Sequence, residues 1–215
     1  TLFRSDIKVI ATSKGSNRNK EDGSYIYESL DITNKNEINR VINLYRPNVV
    51  FNTAAMTNVD LCEDERSLCD SLNVDAVGYL ADSCLAIDAH LIQISTDFIF
   101  DGDNGPYIED DIPNPLSYYG ESKLKSEKLL YNHKCKWSIL RTIVLFGVAD
   151  NLSKNNIVLW AKNQLENLNK INIIDDEYRA PTLAEDLAEA CVLTAQKKAY
   201  GIFHVSGKDL MSIYD

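Results

Sequence analysis

Leu91-Ile92-Gln93-Ile94-Ser95-Thr96-Asp97 is the stretch of sequence that decides the fold. Its mostly apolar first half is typical of a buried strand, and its second half places short polar side chains where that strand ends. Helical spacing of apolar residues lies on both sides, at residues 67–87 and 117–131. Strands that alternate with helices form a parallel sheet covered on both faces, so the sequence predicts a doubly wound α/β fold.

The same alternation continues in both directions from this strand. Apolar runs predict further strands at residues 7–11, 25–30, 49–51, 137–145, 171–174 and 202–205. Helical spacing predicts helices at residues 37–45, 157–168 and 183–196. Two glycines and three prolines between residues 97 and 115 predict a loop. No linker interrupts the pattern, so any second domain is expected to be interleaved with the first.

Composition and charge exclude several classes of protein. With 45% hydrophobic and 25% charged residues, the 215-residue chain has the composition of a globular protein rather than a disordered one. No apolar run approaches the ~20 residues of a transmembrane helix, so no membrane partner is expected. The net charge of −10 disfavours nucleic acid as a partner, because phosphate binding requires an excess of lysine and arginine.

The five cysteines are odd in number and include no C-x-x-C pair. This pattern predicts neither a disulfide framework nor a zinc site. Reduced, mostly buried thiols are typical of cytosolic proteins, so we expect a cytoplasmic location. The three histidines lack metal-ligand spacing, and no metal site is predicted. The carboxylates of residues 109–111 are compatible with a hydrated Mg²⁺, although a solvated loop is the simpler interpretation.

Two features point to proton chemistry at the end of the central strand. Ser95 and Thr96 are expected to face a cleft, because ligands bind beyond the carboxyl ends of parallel strands. Tyr119 and Lys123 lie four residues apart and share one helix face. A close ammonium favours the phenolate, which would let the phenol exchange a proton with a carbonyl oxygen. The alternatives are a turn cap for Ser95 or Thr96 and a chance spacing for the Tyr-Lys pair.

Small residues follow another predicted strand in Phe51-Asn52-Thr53-Ala54-Ala55-Met56-Thr57-Asn58-Val59-Asp60. At the carboxyl end of a strand, small side chains let a flat cofactor approach the backbone closely. Small residues are equally well explained by close packing of the protein against itself at this position, with no cofactor involved. The stretch leaves both interpretations open.

In this order and at these spacings, the features resemble the extended short-chain dehydrogenase/reductases and, within them, the dTDP-4-dehydrorhamnose reductase family. The resemblance extends over residues 7–206. Besides the segments quoted above, it is carried by Arg46-Pro47-Asn48-Val49-Val50, Asn73-Val74-Asp75-Ala76, Phe98-Ile99-Phe100-Asp101-Gly102, Pro106-Tyr107, Glu109-Asp110-Asp111, Pro113-Asn114-Pro115-Leu116, Tyr119-Gly120-Glu121-Ser122-Lys123, Leu140-Arg141-Thr142 and Pro181-Thr182-Leu183-Ala184-Glu185-Asp186-Leu187-Ala188. It implies a Rossmann-like fold and hydride transfer from NAD(P)H to a 4-keto sugar carried on a nucleotide diphosphate.

The resemblance also implies roles for individual residues. Thr96, Tyr119 and Lys123 would be the catalytic residues, with Tyr119 as the proton donor. Lys123 would bind the nicotinamide ribose and lower the pKa of the phenol. Further cofactor contacts are implied for Asp31, Ile32, Ala54, Ala55, Met56 and Ser95. Substrate contacts are implied for Thr96, Val59, Asp97 and Phe98.

Arg179 is a further candidate for the substrate site. A guanidinium can bind a phosphate group through two parallel N–H donors. The same side chain could instead pair with Asp175 or Asp176, and the sequence does not decide between these partners.

The chain departs from the family pattern in several places. The glycine-rich phosphate loop and the strand before it are missing ahead of residue 7, so we expect a longer parent protein. We also expect a gap in the sheet between the strands at residues 7–11 and 49–51. Residues 1–145 would then be an N-terminally incomplete dinucleotide-binding domain, and residues 146–215 part of a substrate-binding lobe that is interleaved with late elements of the Rossmann-like fold. Phe98 replaces the usual tyrosine, and Val144 replaces a tryptophan of many members.

The cofactor preference depends on Thr12-Ser13-Lys14-Gly15, which follows the first predicted strand. NAD-specific members need an acidic residue here for the ribose 2′-hydroxyl, and this stretch has none. Lys14 and Arg18 are suited to a 2′-phosphate, so NADP(H) is favoured over NAD(H). A merely solvated Lys14 is the alternative.

Reduction of a nucleotide sugar is accordingly the first functional hypothesis. A nucleotide-sugar epimerase is a second, whereas a 4,6-dehydratase is disfavoured because Phe98 occupies the position of an acid/base glutamate. A third is a non-catalytic regulatory subunit of the same family that binds a dinucleotide or a protein partner. A homodimer is compatible with each hypothesis.

Overall fold

Strands and helices alternate along the chain in the computed structural model, which describes residues 7–17, 25–148 and 156–214. The strands are β1 (Val9–Ser13), β2 (Tyr25–Ser29), β3 (Val49–Asn52), β4 (His90–Thr96), β5 (Lys136–Thr142), β6 (Leu145–Phe146), β7 (Tyr178–Arg179), β8 (Thr182–Leu183), β9 (Gly201–Val205) and β10 (Met211–Ser212). The helices are α1 (Lys35–Tyr45), α2 (Val59–Asp64), α3 (Arg66–Asp70), α4 (Ala76–Ile87), α5 (Tyr118–Tyr131), α6 (Ile157–Glu166) and α7 (Ala184–Lys197), with a π-helical turn at Ser71–Asp75 and a 3₁₀ turn at Asp97–Ile99.

A four-stranded parallel sheet in the order β3-β4-β5-β9 forms the centre of the fold. Helices cover both of its faces, because neighbouring side chains along a strand point to opposite sides. Leu91 of β4 packs in a cluster with residues of α1, α4 and α5, and Ile92 packs with residues of α7. The predicted doubly wound, Rossmann-like α/β fold is therefore confirmed.

β1 and β2 form a separate two-stranded parallel pair. Among the described residues, no backbone pairing joins β1 to β3, which is where the sequence predicted a gap in the sheet. Helix packing nevertheless connects the two parts. Leu30, directly after β2, and Ile38 of α1 lie in the same buried cluster as Leu91 of β4.

Two predicted strands differ from the observed ones. Residues 171–174 form no strand, and Ile173 and Ile174 lie instead beside α6 along a shallow groove of about 210 Å³. β5 ends at Thr142 rather than at residue 145, because Val144 adopts a left-handed conformation with φ 39°. A β-branched residue rarely adopts this conformation, so the apolar run gave no indication of the break.

The predicted helix at residues 67–87 is divided into α3, the π-helical turn and α4. A π-helical turn inserts one extra residue and re-aims the side chains that follow it. A single π-helical turn interrupts the helical spacing of apolar residues by only one position. The sequence therefore predicted one continuous helix here.

Candidate active site

Thr96, Tyr119 and Lys123 lie close together where β4 ends and α5 begins. Thr96 is the last residue of β4, and Ser117 caps α5 by accepting a hydrogen bond from the backbone N–H of Gly120 at 3.2 Å. Tyr119 and Lys123 occupy the first two turns of that helix, on its buried side. The exposed fractions of the three residues are 6%, 9% and 3%. The fold therefore brings together the residues that the sequence suggested as a catalytic group.

Burial controls the acidity of the Tyr119 phenol. It raises the pKa of Tyr119 to about 12; a hydrogen bond with Thr96 lowers this pKa, and the Asp97 carboxylate raises it. The ring of Phe98 stands edge-on to the Tyr119 ring, with centroids 5.7 Å apart. The phenol is therefore protonated at neutral pH, which is the state that a proton donor requires.

The Lys123 amine contacts the backbone of β4. Its Nζ donates a hydrogen bond to the carbonyl oxygen of Ile94 at 2.7 Å. Burial lowers the pKa of Lys123 to about 8, and the Glu127 carboxylate opposes this effect. The sequence predicted that Lys123 would lower the pKa of the Tyr119 phenol. In the structure that pKa is raised, because desolvation of the phenol outweighs the hydrogen bond with Thr96 and the Asp97 carboxylate acts in the same direction as desolvation.

Thr96 also caps the 3₁₀ turn that follows β4. Its Oγ1 accepts a hydrogen bond from the backbone N–H of Phe98 and donates one to Asp97 Oδ1, each at 3.2 Å. The interpretation of Thr96 as the cap of the following turn is thus confirmed. It leaves the hydroxyl beside Tyr119, where it is also placed to meet a ligand.

Asp97, which follows β4 directly, lies close enough to Arg179 to be affected by its charge. Burial raises the pKa of Asp97, and the positive charge of Arg179 lowers it. Arg179 Nη2 forms its ion pair with Glu177 Oε2 at 3.0 Å, rather than with either of the two aspartates considered from the sequence. The two candidate substrate residues, distant in sequence, therefore influence each other electrostatically.

The small residues after β3 lie beside the end of β4. Ala54 is exposed and Ala55 is half-buried, and Asn52 Oδ1 stabilises their turn by accepting a hydrogen bond from Ala54 N–H at 3.3 Å. Met56 is buried with an exposed fraction of 7%, and Val59 packs against the same cluster. The alanines are thus at least partly accessible to solvent, whereas Met56 and Val59 pack into the cluster beside Tyr119.

Asn73 links this loop to α5, a role that the sequence did not reveal. It lies in the π-helical turn, a feature often found at functional sites. Its Oδ1 accepts from Met56 N–H at 2.8 Å, while its Nδ2 donates to Met56 O at 3.0 Å and to Ser122 Oγ at 2.9 Å. Ser122 Oγ donates in turn to the carbonyl oxygen of Tyr119 at 2.7 Å.

A buried ion pair supports the site from behind. Glu127 of α5 and Arg141 of β5 have side-chain exposures of only 4% and 5%, with Nη2 to Oε2 at 2.8 Å and Nε to each carboxylate oxygen at 3.2 Å. Ser95 Oγ donates to Glu127 Oε1 at 2.5 Å, so Ser95 is directed into the protein. Arg141 Nη1 also donates to the carbonyl oxygen of Glu109 at 3.1 Å. The pair thereby ties the end of β4 to the loop of residues 97–115.

Gly120 permits the close approach of α5 to the 3₁₀ turn. A Cβ at this position would lie 2.2 Å from the carbonyl oxygen of Phe98, a distance that real Cβ atoms essentially never show. Only glycine fits without a shift of the backbone. Its place between Tyr119 and Lys123 in the sequence gave no signal of this contact.

Asp31 and Lys14 lie just beyond the ends of β2 and β1. Their Nζ and Oδ2 atoms are 2.6 Å apart, and the Lys14 side chain remains 81% exposed. Hydrogen bonds from Lys14 and Thr33 hold the pKa of Asp31 at about 2. Ile32 packs against the large core cluster. Arg18, the second predicted phosphate ligand, lies outside the described residues.

The carboxylates of residues 109–111 contribute to the structure of their own loop. Glu109 Oε1 accepts from His204 N–H at 2.8 Å, and Asp111 Oδ2 accepts from Ile108 N–H at 2.7 Å. Within residues 7–17, 25–148 and 156–214, no group of three or more His, Cys, Asp or Glu could hold a metal ion. The same part of the chain contains no helix that is long and apolar enough to cross a bilayer.

Polar and small residues that could hold a dinucleotide lie at the carboxyl ends of three strands. Asp31 supplies a carboxylate after β2, and Ala54 supplies flat, exposed backbone after β3. Tyr119 and Lys123 supply a hydroxyl and an amine after β4. Ligands of parallel α/β sheets bind at this edge, beyond the carboxyl ends of the strands. The arrangement can bind a polar ligand and exchange a proton with it at Tyr119 Oη.

Comparison with known proteins identifies the family. The model of the RmlD substrate binding domain matches residues 2–215. dTDP-4-dehydrorhamnose reductase from Aggregatibacter actinomycetemcomitans is 37% identical over 196 residues, which are 88% of this chain and 65% of that protein. Methionine adenosyltransferase 2 subunit beta from Bos taurus is 35% identical over 195 residues, which are 88% of this chain and 58% of that protein. The chain thus spans 58% and 65% of the length of these curated relatives.

Solved structures show the same fold. A dTDP-4-dehydrorhamnose reductase from Clostridium acetobutylicum superposes with a TM-score of 0.84 at 32% identity, covering 97% of this chain and 77% of that one. The dTDP-4-dehydrorhamnose reductase from Bacillus anthracis, solved in complex with NADP, gives a TM-score of 0.84 at 29% identity, covering 96% of this chain and 77% of that one.

Proposed function

The chain belongs to the RmlD substrate binding domain family, and we propose that it comes from an NAD(P)H-dependent reductase of a 4-keto nucleotide sugar. The observation that carries this proposal is the meeting of the Thr96 and Tyr119 hydroxyls at the carboxyl end of β4. Both groups lie on a buried scaffold, beside a helix that also carries the Lys123 amine.

The proposed chemistry assigns one task to each of these side chains. When bound, the dinucleotide supplies a hydride to the carbonyl carbon of the sugar. Tyr119 Oη gives its proton to the carbonyl oxygen, and Thr96 Oγ1 donates a hydrogen bond to the same oxygen. Burial keeps the phenol protonated until the carbonyl oxygen gains charge, since it raises the pKa of Tyr119 to about 12. Lys123, whose amine already contacts β4, binds a ribose hydroxyl and is available to return a proton to the phenolate.

Asp97, Phe98, Val59 and Arg179 are proposed to contact the sugar and its diphosphate. Arg179 supports this assignment because its charge acts on Asp97 while its side chain remains partly exposed, at 29%. Asp31, Ile32, Ala54 and Ala55 are proposed to contact the dinucleotide, with Met56 and Ser95 behind the ligand surface. A guanidinium on the rim is suited to a diphosphate, which it can bind through parallel N–H donors.

We propose NADP(H) rather than NAD(H) as the cofactor. The exposed ammonium of Lys14 is available to a 2′-phosphate, although its 2.6 Å contact with Asp31 means that the phosphate must compete with a carboxylate. Replacement Lys14→Ala is expected to raise KM for NADPH and leave KM for NADH unchanged. Equal changes in both constants would contradict the assignment.

The direct test of the reductase is NADPH consumption with dTDP-4-dehydrorhamnose, the substrate named for the bacterial relatives. Tyr119→Phe is expected to lower kcat by about 10²- to 10⁴-fold, the usual contribution of a positioned proton donor. The matched control is Tyr118→Phe, because the neighbouring Tyr118 hydroxyl contacts Asp70 at 2.7 Å instead of the site. Equal activity of the two variants would contradict the role of Tyr119.

A second candidate function is that of a subunit that acts through a protein partner. It is favoured by the 35% identity to methionine adenosyltransferase 2 subunit beta, which extends over the same 88% of the chain as the likeness to the reductase. Co-elution with methionine adenosyltransferase on gel filtration, unaffected by Tyr119→Phe and without NADPH consumption, would favour this function over the reductase.

A further inference from the structure

Cys62 and Cys69 form a close sulfur pair beneath the candidate active site. Their Sγ atoms are 3.0 Å apart, and both residues are completely buried. A disulfide bond has an S–S length of ~2.05 Å, so the two sulfurs need to approach by only about 1 Å to become bonded. The sequence did not suggest this pair, since seven residues separate the two cysteines and no C-x-x-C occurs.

The backbone explains how residues so spaced can meet. In a continuous helix, residues seven apart are separated by ~10 Å along the axis. Here α2 ends at Asp64, and Glu65 has a non-helical conformation with φ −115° and ψ 50°. This break redirects the chain so that Cys62 of α2 and Cys69 of α3 point into the same cluster, together with Met56, Tyr118 and Tyr119.

Each sulfur of the pair also contacts a polar group beside the candidate active site. Cys69 Sγ lies 3.4 Å from Asn73 Nδ2, and Cys62 Sγ lies 3.7 Å from the carbonyl oxygen of Met56. Asn73 and Met56 are joined by the two hydrogen bonds that connect the loop after β3 to the π-helical turn. A change at either sulfur therefore occurs in contact with groups that shape the site.

We propose that Cys62 and Cys69 are a disulfide-forming site, oxidised by a peroxide. One thiol loses its proton and its sulfur attacks a peroxide oxygen, which breaks the O–O bond, gives a sulfenic acid and releases water after protonation. The second thiol then attacks that sulfur, forms the S–S bond and releases a second water. Two thiols and one hydrogen peroxide thus give one disulfide and two waters, and the two electrons lost by sulfur reduce the peroxide.

Burial sets the rate at which this happens. It raises the pKa of Cys62 to about 12, so little of the Cys62 thiol is present as thiolate in the folded protein. Burial likewise raises the pKa of Cys84 to about 12 and that of Cys191 to about 11. Slow reaction is therefore expected of Cys62, Cys84 and Cys191 alike, and the short distance between the two sulfurs is what distinguishes the pair of Cys62 and Cys69.

The test is to treat the folded chain with hydrogen peroxide, unfold it and count free thiols with N-ethylmaleimide. The reduced chain has five cysteines, and the proposal predicts three labelled thiols after oxidation. Trypsin cuts after Arg66, between the two cysteines, and chymotrypsin cuts after Tyr79, between Cys69 and Cys84. After digestion with both enzymes, the disulfide must appear as a peptide with Cys62 linked to a peptide with Cys69 as its only cysteine, and the two must separate on reduction. Intact mass must fall by two hydrogens.

Two variants make the result specific. Cys69→Ser must keep all of its remaining thiols after the same treatment, whereas Cys84→Ser must still lose two of them. Five labelled thiols in treated wild type, linked peptides that join other cysteines, or sulfinic acid on an unlinked Cys62 would each overturn the proposal. None of these readouts depends on NADPH or on a sugar substrate, so they are independent of the proposed reductase activity.

Discussion

The region around β4 and α5 and the region around α6 are built in opposite ways. All but one of the residues of β4 are buried, and α5 buries eight residues, including the ion-paired Glu127. α6 has no buried residue, and the strands nearest to it in sequence, β6, β7 and β8, have two residues each. The difference shows that the candidate catalytic residues Thr96, Tyr119 and Lys123 are held by dense packing, whereas the candidate substrate residue Arg179 lies near sparsely packed elements.

The largest effect is expected from breaking the buried ion pair. Glu127→Gln leaves the Arg141 guanidinium without its counter-ion and should lower the free energy of unfolding by about 3–5 kcal/mol. The matched control is Glu166→Gln in α6, which removes a 3.8 Å pair with Lys162 whose side chains are 63% and 67% exposed. That change should cost less than about 0.5 kcal/mol. Urea denaturation of both variants measures the contrast.

Two leucines, one in α5 and one in α6, test the difference in packing between these helices without a change of charge. Leu130 of α5 is fully buried, and Leu165 of α6 is 62% exposed. Leu130→Ala should lower the free energy of unfolding by about 3 kcal/mol, from lost burial and the cavity that remains. Leu165→Ala should change it by less than about 0.5 kcal/mol. Similar losses in the two variants would show that α6 is packed as tightly as α5.

The buried amine of Lys123 predicts a pH dependence of stability. Its pKa is lowered to about 8 in the folded protein from an ordinary value of 10.5. Between these values the unfolded chain binds the proton and the folded chain does not, so stability from this group rises with pH. The free energy of unfolding should increase by about 2 kcal/mol from pH 8 to pH 10 relative to Lys123→Met. A flat or falling difference between the two proteins would show that the amine is not desolvated.

The smallest predicted effects concern two helical glycines. At Gly120 an added methyl group would meet the carbonyl oxygen of Phe98 at 2.2 Å, so Gly120→Ala should destabilise the protein by about 1–2 kcal/mol despite the better helix propensity of alanine. At Gly78 of α4 the nearest atom is a flexible Leu129 methyl at 3.3 Å. Gly78→Ala should therefore be neutral or stabilise by up to about 1 kcal/mol. Thermal denaturation should give shifts of opposite sign.

The sequence predicted the densely packed region of β4 and α5 better than the sparsely packed region around α6. The apolar run of β4 and the helical spacing of α5 are local signals, and both elements formed where they were expected. Near α6 the local signal was misleading. Residues 171–174 have the composition of a strand, but they have no partner strand and lie against a helix.

The supporting residues of the site could not be predicted for a different reason. Asn73, Glu127 and Arg141 act through contacts with distant parts of the chain, and polar residues in a helical or strand pattern do not reveal their partners. The raised pKa of Tyr119 was missed because burial, which dominates it, is a property of the folded chain. The proximity of Thr96, Tyr119 and Lys123 could be predicted because their spacing and the family resemblance are readable in the sequence, and their catalytic role stays a prediction.

We propose that the site beside β4 transfers hydride to a sugar carbonyl while Tyr119 supplies the proton. The most direct measurement is to supply NADPH deuterated at the transferring position of nicotinamide C4 together with dTDP-4-dehydrorhamnose, and to weigh the product sugar. We expect one deuterium on the former carbonyl carbon of the product made by the wild-type protein, and almost no product from Tyr119→Phe. Unlabelled product, or no turnover by a wild-type protein that binds NADPH, would contradict it.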